Sequence, residues 1–435
     1  MSELASLLGE EDPSPAALLA TRPHLSLNPI DGLTMEEVPL AAIIAELGTP
    51  TWVYSAGAMR ARLARLQNAM TGLAEVHYAV KANDHLAVLR LMAAGGAGAD
   101  VVSGGELLRA RKAGIAADKI VFSGVGKTAG EIRLALAEGI EQINVESAEE
   151  LETVSALASA MGRTARVALR VNPDVDAHTH AKITTGTAKD KFGIPYTDIP
   201  AVYRHAAALP GVEPAGLALH IGSQIMSTGP YRAAFARAAD LVRALRAEGL
   251  EVQKMDCGGG LGVGYHDTAD ASPDALAGAM RAAFGNLALE LMLEPGRWLV
   301  APAGVLLSEV VLVKAGRFVV LDAAMNDLMR PALYDSWHGI VPLRPAAESA
   351  VYDVVGPVCE TSDTFARARR LPRLAAGEHV ALLEAGAYGA VMSSTYNARP
   401  RAAIALVDGA RWALLRARQT PEELWAGERI PDFLG

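Results

Sequence analysis

The stretch VHYAVK at residues 76–81 is followed by HLAVLRLMAA at 85–94 and by ADVVS at 99–103. The first and third segments are short, apolar runs, which is typical of buried strands, whereas the apolar residues of the middle segment are spaced as on a helix. A strand, a helix and a second strand in this order predict one parallel βαβ unit.

The same alternation continues through the middle of the chain and predicts eight strands. They are Val76–Lys81, Ala99–Ser103, Ile120–Ser123, Gln142–Glu146, Val167–Asn172, Gly216–Ile221, Lys254–Cys257 and Leu289–Glu294. Helices fit His85–Ala94, Gly105–Ala113, Gly130–Glu138, Ala148–Met161, Ile199–Ala208, Tyr231–Glu248 and Pro273–Phe284. Eight units favour a closed (β/α)₈ barrel, a TIM-like α/β fold of about 250 residues. An open doubly wound sheet is the alternative, although no strand–GxGxxG–helix unit opens the chain as a dinucleotide site would.

The two ends of the chain have a different pattern. After about Ala301, short β-type runs follow one another with few helices between them, and residues 25–54 begin in the same way before a helical piece at Leu40–Leu47. The β-type runs are Val305–Val313, Arg317–Leu321, Ser349–Val355, His379–Leu383 and Ala403–Val407. We therefore expect residues 55–300 to form the barrel. Residues 301–435 are expected to form a mostly β domain, Greek-key or β-sandwich-like, that residues 25–54 complete. Residues 1–24 are expected to be a flexible tail.

Composition narrows the class of protein and its partners. The chain has 435 residues and a net charge of −9, which disfavours nucleic acid and anionic membranes as partners. Its two cysteines, Cys257 and Cys359, are too few for a disulfide framework, and the acidic N-terminus does not resemble a signal peptide. We expect a cytoplasmic protein with neither a nucleic-acid nor a membrane partner. His178 and His180 lack further ligands nearby in the sequence, so no metal site is expected.

In a (β/α)₈ barrel, functional residues collect where the strands end, and Lys81 closes the first predicted strand. Burial lowers the pKa of an amine, which makes it a nucleophile able to form a Schiff base. The alternative is a surface lysine at a strand end, because lysine is rarely buried.

Two motifs follow the seventh and eighth strands, where barrels often bind phosphate. Gly258–Gly260 allows backbone N–H groups to approach an anion, and Arg297 adds a bidentate donor. Tight turns with a structural arginine are the alternative. Glu294 could keep a pyridine nitrogen protonated, or form a salt bridge at the strand end.

Three further positions have both a chemical and a plain structural interpretation. His220 can stack on a flat ring or can be a core histidine. Cys359, beside Glu360, suits proton transfer, whereas a free cysteine is more often a small buried apolar residue, which explains Cys257 better. Arg330 would bind the far carboxylate of a substrate, and exposed charge is its alternative.

Together these motifs resemble one family. The sequence from about Leu25 to Tyr396 is similar to the fold-type III pyridoxal-phosphate (PLP) decarboxylases, which share an alanine-racemase-like barrel. Within them it is most similar to the diaminopimelate decarboxylases. The resemblance is carried by YAVKAN (78–83), HIGS (220–223), GGG (258–260), EPGR (294–297), CE (359–360) and Tyr388.

The resemblance implies a role for each matching residue. Lys81, which is catalytic, holds PLP covalently, and His220 stacks on its ring. The remaining cofactor contacts are Ser223, Gly258, Gly259, Gly260, Glu294, Gly296, Arg297 and Tyr388, and the implied substrate contacts are Arg297, Arg330, Tyr334, Glu360 and Tyr388. Cys359 is the implied proton donor, and it completes, with Glu360, the active site of the partner in a homodimer.

A second set of segments decides the branch of the family. Residues 176–180 (DAHTH), 184–186 (TTG), 191–194 (KFGI) and 330–334 (RPALY) resemble the diaminopimelate branch. They imply decarboxylation of meso-2,6-diaminopimelate to L-lysine and CO₂, the last step of lysine biosynthesis. A decarboxylase of ornithine, arginine or carboxynorspermidine is the main alternative. An alanine racemase or a non-catalytic PLP-binding homologue is less consistent with the residues present.

Overall fold

The structure is a computed structural model that describes residues 12–175, 191–346 and 348–434. The chain divides into two compact units. One consists of Arg60–Val263 and Asp270–Leu299, and the other of Met1–Met59, Gly264–Ala269 and Val300–Gly435. The sequence analysis placed residues 264–269 in the barrel, whereas the structure assigns them to the other unit.

The first unit is a closed barrel of eight parallel strands, which confirms the predicted fold class. The strands are β1 (Ala74–Ala79), β2 (Gly98–Val101), β3 (Ile120–Phe122), β4 (Gln142–Val145), β5 (Ala165–Asn172), β6 (Val212–Leu219), β7 (Lys254–Asp256) and β8 (Glu290–Leu293). Each strand pairs with the next, and β8 pairs with β1 through Leu293 and Val76. The open-sheet alternative is therefore wrong.

The helices of this unit connect consecutive strands. They are Leu86–Ala94, Gly104–Lys112, Ala129–Glu138, Ala148–Ala160, Ile199–Ala208, Gly229–Ala247 and Pro273–Phe284, with Ala56–Ala69 before β1 and Arg297–Val300 after β8. Several begin at a hydroxyl N-cap such as Ser103, Ser147 or Ser272, whose side chain accepts a backbone N–H. Caps of this kind fix where the chain leaves the strand-end loops and enters each helix.

Strand β6 begins earlier than predicted, at Val212 rather than Gly216. Pro214 argues against a strand in the sequence because proline lacks a backbone donor. The pairing with β5 shifts register between Pro214 and Gly216, and this irregularity accommodates the proline.

The other unit is mostly β, as predicted. Its main sheet has the strand order Thr364–Pro372, Ser349–Val355, Phe318–Leu321, Gly304–Lys314, Thr51–Ser55, Ala403–Asp408 and Arg411–Arg416, and His379–Leu382 pairs with Gly304–Lys314 and Ile340–Pro342. Thr51–Ser55 lies between Gly304–Lys314, which is antiparallel to it, and Ala403–Asp408, which is parallel. The N-terminal segment therefore completes the sheet, as the sequence predicts.

A small sheet and short helices complete this unit. The small sheet consists of Leu25–Asn28, Gly32–Met35 and Val38–Pro39, and the helices are Pro15–Ala20, Leu40–Leu47 and Arg330–Tyr334. Apolar residues of the small sheet and of the first two helices, including Leu18, Leu25 and Ile43, belong to one buried cluster with the main sheet.

The prediction that residues 1–24 form a flexible tail is wrong for the second half of that segment. Pro15 opens the helix Pro15–Ala20, at a position where proline is favoured, and Ser14 caps that helix. Leu18 is buried, and the buried Arg22 forms an ion pair with Glu384. This segment is thus part of the packed unit.

No helix in the described ranges is long and apolar enough to cross a membrane.

Candidate active site

A cavity of about 310 Å³ opens at the C-terminal ends of the barrel strands. Its lining includes Lys81, Ser123, Asn144, Arg170, His220 and Glu294. Each of these residues lies in or just after a barrel strand, so the closed barrel itself brings them together.

Lys81 lies one turn beyond the strand end, in a 3₁₀ turn at Val80–Ala82, and not in the strand as predicted. Its Nζ donates a hydrogen bond to Oδ2 of Asp100 at 2.6 Å. Asp100 is fully buried in β2, whereas the Lys81 side chain is 33% exposed. The amine is therefore held by an ion pair and still reaches the cavity, which overturns the surface-lysine alternative.

Glu294 directly follows β8 and is a buried carboxyl. It accepts hydrogen bonds from Oγ of Ser123 at 3.0 Å and from Nδ2 of Asn144 at 3.3 Å. Burial raises the pKa of Glu294 well above its usual value, and the negative charges of Asp100 and Asp256 raise it further. Such a carboxyl retains a proton that it can share with a nitrogen atom in the cavity.

His220 is in the neutral form. Its Nδ1 accepts the backbone N–H of Gly259 at 3.3 Å, which leaves the proton on Nε2. Burial lowers the pKa of His220 well below its usual value, and the positive charges of Arg170 and Lys81 lower it further. A neutral imidazole fixed by one ring nitrogen presents a flat surface to the cavity.

The glycine triplet is required by the backbone. Gly258 and Gly260 have φ of +69° and +96°, in the region that favours glycine. A Cβ at positions 258, 259 and 260 would lie 2.1, 2.2 and 2.3 Å from carbonyl oxygens of Leu219, Glu294 and Gly222, respectively. The triplet therefore forms a close-packed turn in which no side chain fits.

Polar donors of neighbouring loops accompany the triplet. Arg297 donates from NH2 to Oγ of Ser223 at 3.0 Å, and Tyr231 donates from its hydroxyl to the carbonyl of Gly259 at 3.0 Å. Gly296 has no room for a larger residue, because a Cβ there would lie 2.9 Å from Cβ of Ala82. Guanidinium, hydroxyl and backbone N–H groups on the loops after β6, β7 and β8 are the donors that phosphate requires.

The predicted site residues of the other unit differ in burial. Cys359 is exposed, and its backbone N–H donates to Oδ1 of Asn397 at 3.2 Å. Glu360 accepts a hydrogen bond from Oγ of Ser362 at 2.5 Å, and this bond, with one from Tyr396, lowers the pKa of Glu360.

Arg330 is buried, so the exposed-charge alternative is wrong. Its guanidinium donates to Nε2 of His338 at 3.0 Å and lies over the ring of Tyr265 at 4.8 Å. Tyr334 ends the short helix that begins at Arg330, and Tyr388 has a left-handed φ of +54°.

The structure thus brings the predicted cofactor residues of the barrel together around one cavity and its adjoining loops. These are Lys81, His220, Ser223, Gly258, Gly259, Gly260, Glu294, Gly296 and Arg297. The residues Arg330, Tyr334, Cys359, Glu360 and Tyr388 lie in the mostly β unit. The motifs at 176–180 and 184–186, with His178 and His180, lie outside the described residues. Within the described residues, no three His, Cys, Asp or Glu side chains form a group that could hold a metal.

The sequence analysis missed several polar residues of the site. Asp100, Asn144 and Asp256 lie within three barrel strands in which every residue is buried. Arg170 forms an ion pair with Glu146 at 2.5 Å. The signal was present, because a charged or amide side chain inside an apolar barrel strand must have a polar partner.

A lysine amine, a proton-holding carboxyl and a glycine turn at the end of a (β/α)₈ barrel define the class of PLP-dependent barrel enzymes. Consistent with this, residues 56–301 match the family model described as "Pyridoxal-dependent decarboxylase, pyridoxal binding domain".

Within that class, the chain belongs to the diaminopimelate decarboxylase family. It is 46% identical over 411 residues to diaminopimelate decarboxylase of Zymomonas mobilis, an alignment that covers 92% of this chain and 98% of that protein. The crystal structure of M. jannaschii diaminopimelate decarboxylase in complex with L-lysine is 34% identical and has a TM-score of 0.91, and the match covers 95% of this chain and 100% of that one. The Helicobacter pylori enzyme complexed with L-lysine is 38% identical, with a TM-score of 0.87 and coverage of 89% and 98%.

Proposed function

We propose that this protein removes CO₂ from the D-centre of meso-2,6-diaminopimelate and releases L-lysine, the last step of lysine biosynthesis. The observation that carries the proposal is the single cavity that the Lys81 amine, the His220 ring and the Glu294 carboxyl line together. The identity of this chain to diaminopimelate decarboxylases supports the choice of substrate.

The residues of the barrel fit PLP. The glycine triplet leaves space where a Cβ would collide with backbone, and Ser223 and Arg297 provide donors beside it. We assign the phosphate to these groups, the ring face to His220, the ring nitrogen to Glu294 and the aldehyde carbon to Lys81. When bound, PLP accepts the electron pair that remains on the substrate after CO₂ leaves.

The residues of this chain then place charge and protons around that chemistry. Glu294 would hold a proton against the ring nitrogen of the bound cofactor and so keep the ring electron-poor. Asp100 accepts a hydrogen bond from the Lys81 ammonium and orients the amine. Cys359 delivers a proton to the carbon from which CO₂ departed, a role that its thiol can perform without a metal ion.

The far end of the substrate carries both an ammonium and a carboxylate. We propose that Arg330 binds this far carboxylate, with hydroxyl contacts from Tyr334 and Tyr388, and that Glu360 binds the ammonium. Arg297 is proposed to contact the substrate as well as the phosphate of PLP. Ornithine lacks the second carboxylate, so it would leave the buried Arg330 guanidinium facing no anion, which is costly.

Two further parts of the proposal concern the assembled protein. We propose a homodimer in which Cys359 and Glu360 complete the partner's site, and the exposure of Cys359 in the single chain supports it. A cytoplasmic location is proposed from the biosynthetic reaction.

The test uses purified protein with PLP and follows lysine and CO₂ released from meso-2,6-diaminopimelate. We expect kcat/KM for this substrate to exceed that for ornithine, arginine and carboxynorspermidine by about 100-fold or more, since an unmatched buried charge costs several kcal/mol. Equal turnover of ornithine, or release of CO₂ without lysine, would contradict the assignment.

A further inference from the structure

Three carboxyl groups cluster at the C-terminal ends of β2, β7 and β8. Asp100 and Asp256 are fully buried, and Glu294 is 5% exposed. The family resemblance gives a role to Glu294 alone. Asp100 forms an ion pair with Lys81, whereas Asp256 forms no salt bridge with any residue that the structure describes.

Both carboxylate oxygens of Asp256 are nevertheless used. Oδ1 accepts the backbone N–H of Gly258, the first residue of the triplet, at 2.9 Å. Oδ2 accepts Nδ2 of Asn144 at 2.8 Å. The same amide nitrogen donates to Glu294 at 3.3 Å, so one side chain lies between two acidic groups.

The orientation of Asn144 is itself fixed. Its Oδ1 accepts a hydrogen bond from Nε2 of Gln142 at 2.7 Å, which forces Nδ2 toward the carboxyl groups. Asn144 also donates to Oγ of Ser123 at 3.0 Å, and that hydroxyl donates to Glu294 at 3.0 Å. Asn144 therefore donates toward both carboxyl groups, directly to Asp256 and to Glu294 both directly and through Ser123.

The carboxyl groups of Asp256 and Glu294 share the donor Nδ2 of Asn144, and both lie near the carboxyl group of Asp100. Burial raises the pKa of both Asp256 and Glu294, and the negative charge of Asp100 raises both further. Glu294 is the member of the pair that lines the cavity.

We propose that Asp256 is a positioning residue that aligns the two ends of the cofactor site. Through the N–H of Gly258 it fixes the glycine triplet assigned to the phosphate, and through Asn144 it fixes the carboxyl of Glu294 assigned to the ring nitrogen. This inference rests on the proposed function and adds a residue to it.

Asp256→Asn is the informative variant, because it keeps the size of the side chain. Asparagine has one side-chain oxygen, whereas Asp256 accepts hydrogen bonds with two. If the amide oxygen accepts the N–H of Gly258, the amide NH₂ faces the NH₂ of Asn144; if the oxygen faces Asn144, the N–H of Gly258 loses its acceptor. We expect the affinity for PLP, measured by equilibrium dialysis, to fall about tenfold or more.

Two ligand comparisons separate positioning from general damage. The first compares PLP with its carbocyclic analogue, in which the ring nitrogen is replaced by C–H, and the second compares PLP with pyridoxal, which lacks phosphate. In the wild type both analogues should bind more weakly than PLP. Asp256→Asn should reduce both preferences, whereas a loosened fold would weaken all three ligands equally.

Two other variants complete the design. Asn144→Ala should reduce the preference for the ring nitrogen but leave the preference for phosphate, because Asn144 contacts the carboxyl groups and not the triplet. Glu141→Gln removes a half-buried carboxyl that pairs with His77 and Lys254 and does not line the cavity, so it should lower stability and leave both preferences unchanged.

The outcomes distinguish this inference from the proposed function. A wild type that neither binds PLP nor releases lysine removes the proposed function. A wild type that prefers PLP over both analogues, together with an Asp256→Asn variant that keeps both preferences, overturns the role of Asp256. If Asp256→Asn does not fold, an unchanged ring-nitrogen preference in Asn144→Ala overturns it instead.

Discussion

Nζ of Lys81 lies 2.6 Å from Oδ2 of Asp100, and the two residues come from the adjacent strand ends of β1 and β2. The register of these strands pairs Ala79 with Asp100, so the amine is held by the strand next to its own. The barrel thus sets both the position of the proposed nucleophile, the Lys81 amine, and the carboxylate with which it forms an ion pair.

Replacing this lysine tests the covalent assignment. Lys81→Ala should abolish both turnover and the visible absorbance of bound PLP, because the variant has no amine to attach the aldehyde. The measurement is borohydride reduction followed by mass spectrometry of the protein. Lys119→Ala is the control, since that lysine is exposed and lies before β3. A cofactor still trapped in Lys81→Ala would show that another amine holds it.

Cys359→Ala should lower turnover by about 100-fold or more while PLP stays bound, because general acid catalysis contributes roughly 10²–10⁴-fold. The readouts are kcat for lysine release and the absorbance of the bound cofactor. The other cysteine provides a matched comparison. Burial raises the pKa of the Cys257 thiol well above its usual value, and the charge of Asp256 adds to this, so the thiol is inert and Cys257→Ala should keep its turnover. Unchanged kcat in Cys359→Ala would remove its proposed role.

The glycine triplet gives a prediction about stability as well as binding. Gly259→Ala brings a Cβ to within 2.2 Å of a backbone oxygen, so the variant should lose PLP affinity and lower the free energy of unfolding by about 1–3 kcal/mol. Gly278→Ala is the control, because no atom lies within 4 Å of its added Cβ and it is inside a helix. That change should stabilise the protein by about 0.5–1 kcal/mol. Urea unfolding without PLP measures both, and equal effects of the two changes would contradict the packing argument.

The lowered pKa of Glu141 predicts that the free energy of unfolding depends on pH. Burial opposes its ionisation, but hydrogen bonds and charges from His77 and Lys254 outweigh burial and lower the pKa of Glu141 from 4.5 to about 2. Its stabilising contribution, about 3 kcal/mol, is present above pH 4.5 and is lost as pH falls toward 2.

The measurement is the difference in free energy of unfolding between the wild type and Glu141→Gln at several pH values. The difference should be largest near pH 7 and should shrink below pH 4.5. A difference that stays constant down to pH 2.5 would show that the ion pairs of Glu141 do not stabilise the fold.

The role proposed for Arg330 predicts that this residue favours meso-2,6-diaminopimelate over ornithine. Arg330→Lys should lower kcat/KM for meso-2,6-diaminopimelate about 10- to 100-fold, since lysine cannot make the bidentate contact with a carboxylate. Turnover of ornithine, measured in the same assay, should change less because ornithine has no second carboxylate. Equal losses for the two substrates would show that Arg330 acts on the fold and not on the far end of the substrate.

Much of the barrel and its site could be predicted because the signals were local. Apolar strands that end near Lys81, His220, the triplet and Glu294 are visible in the sequence. Seven of the eight strands begin within two residues of the predicted positions, and only β6 begins further away, four residues earlier than predicted. The strand Thr364–Pro372 was missed because its sequence, TFARARRLP, is rich in alanine and arginine. Pairing with Ser349–Val355 overrides that helical propensity, and the sequence alone does not show the partner.

The buried network of Asp256 and Asn144 was missed for a related reason. Asn144 lies in β4 and Asp256 in β7, and these strands are far apart in the sequence. Only the folding of the barrel brings β4, β7 and β8 together. A motif search finds residues that are close in sequence, whereas this network joins residues more than a hundred positions apart.

The position of Thr51–Ser55 between Gly304–Lys314 and Ala403–Asp408 sets an order of events during synthesis. The ribosome makes this strand early, yet its second neighbour emerges only when the chain is nearly finished. The whole barrel sequence leaves the ribosome before that sheet can close. A nascent chain halted before residue 403 therefore carries a strand that still lacks one of its two neighbours.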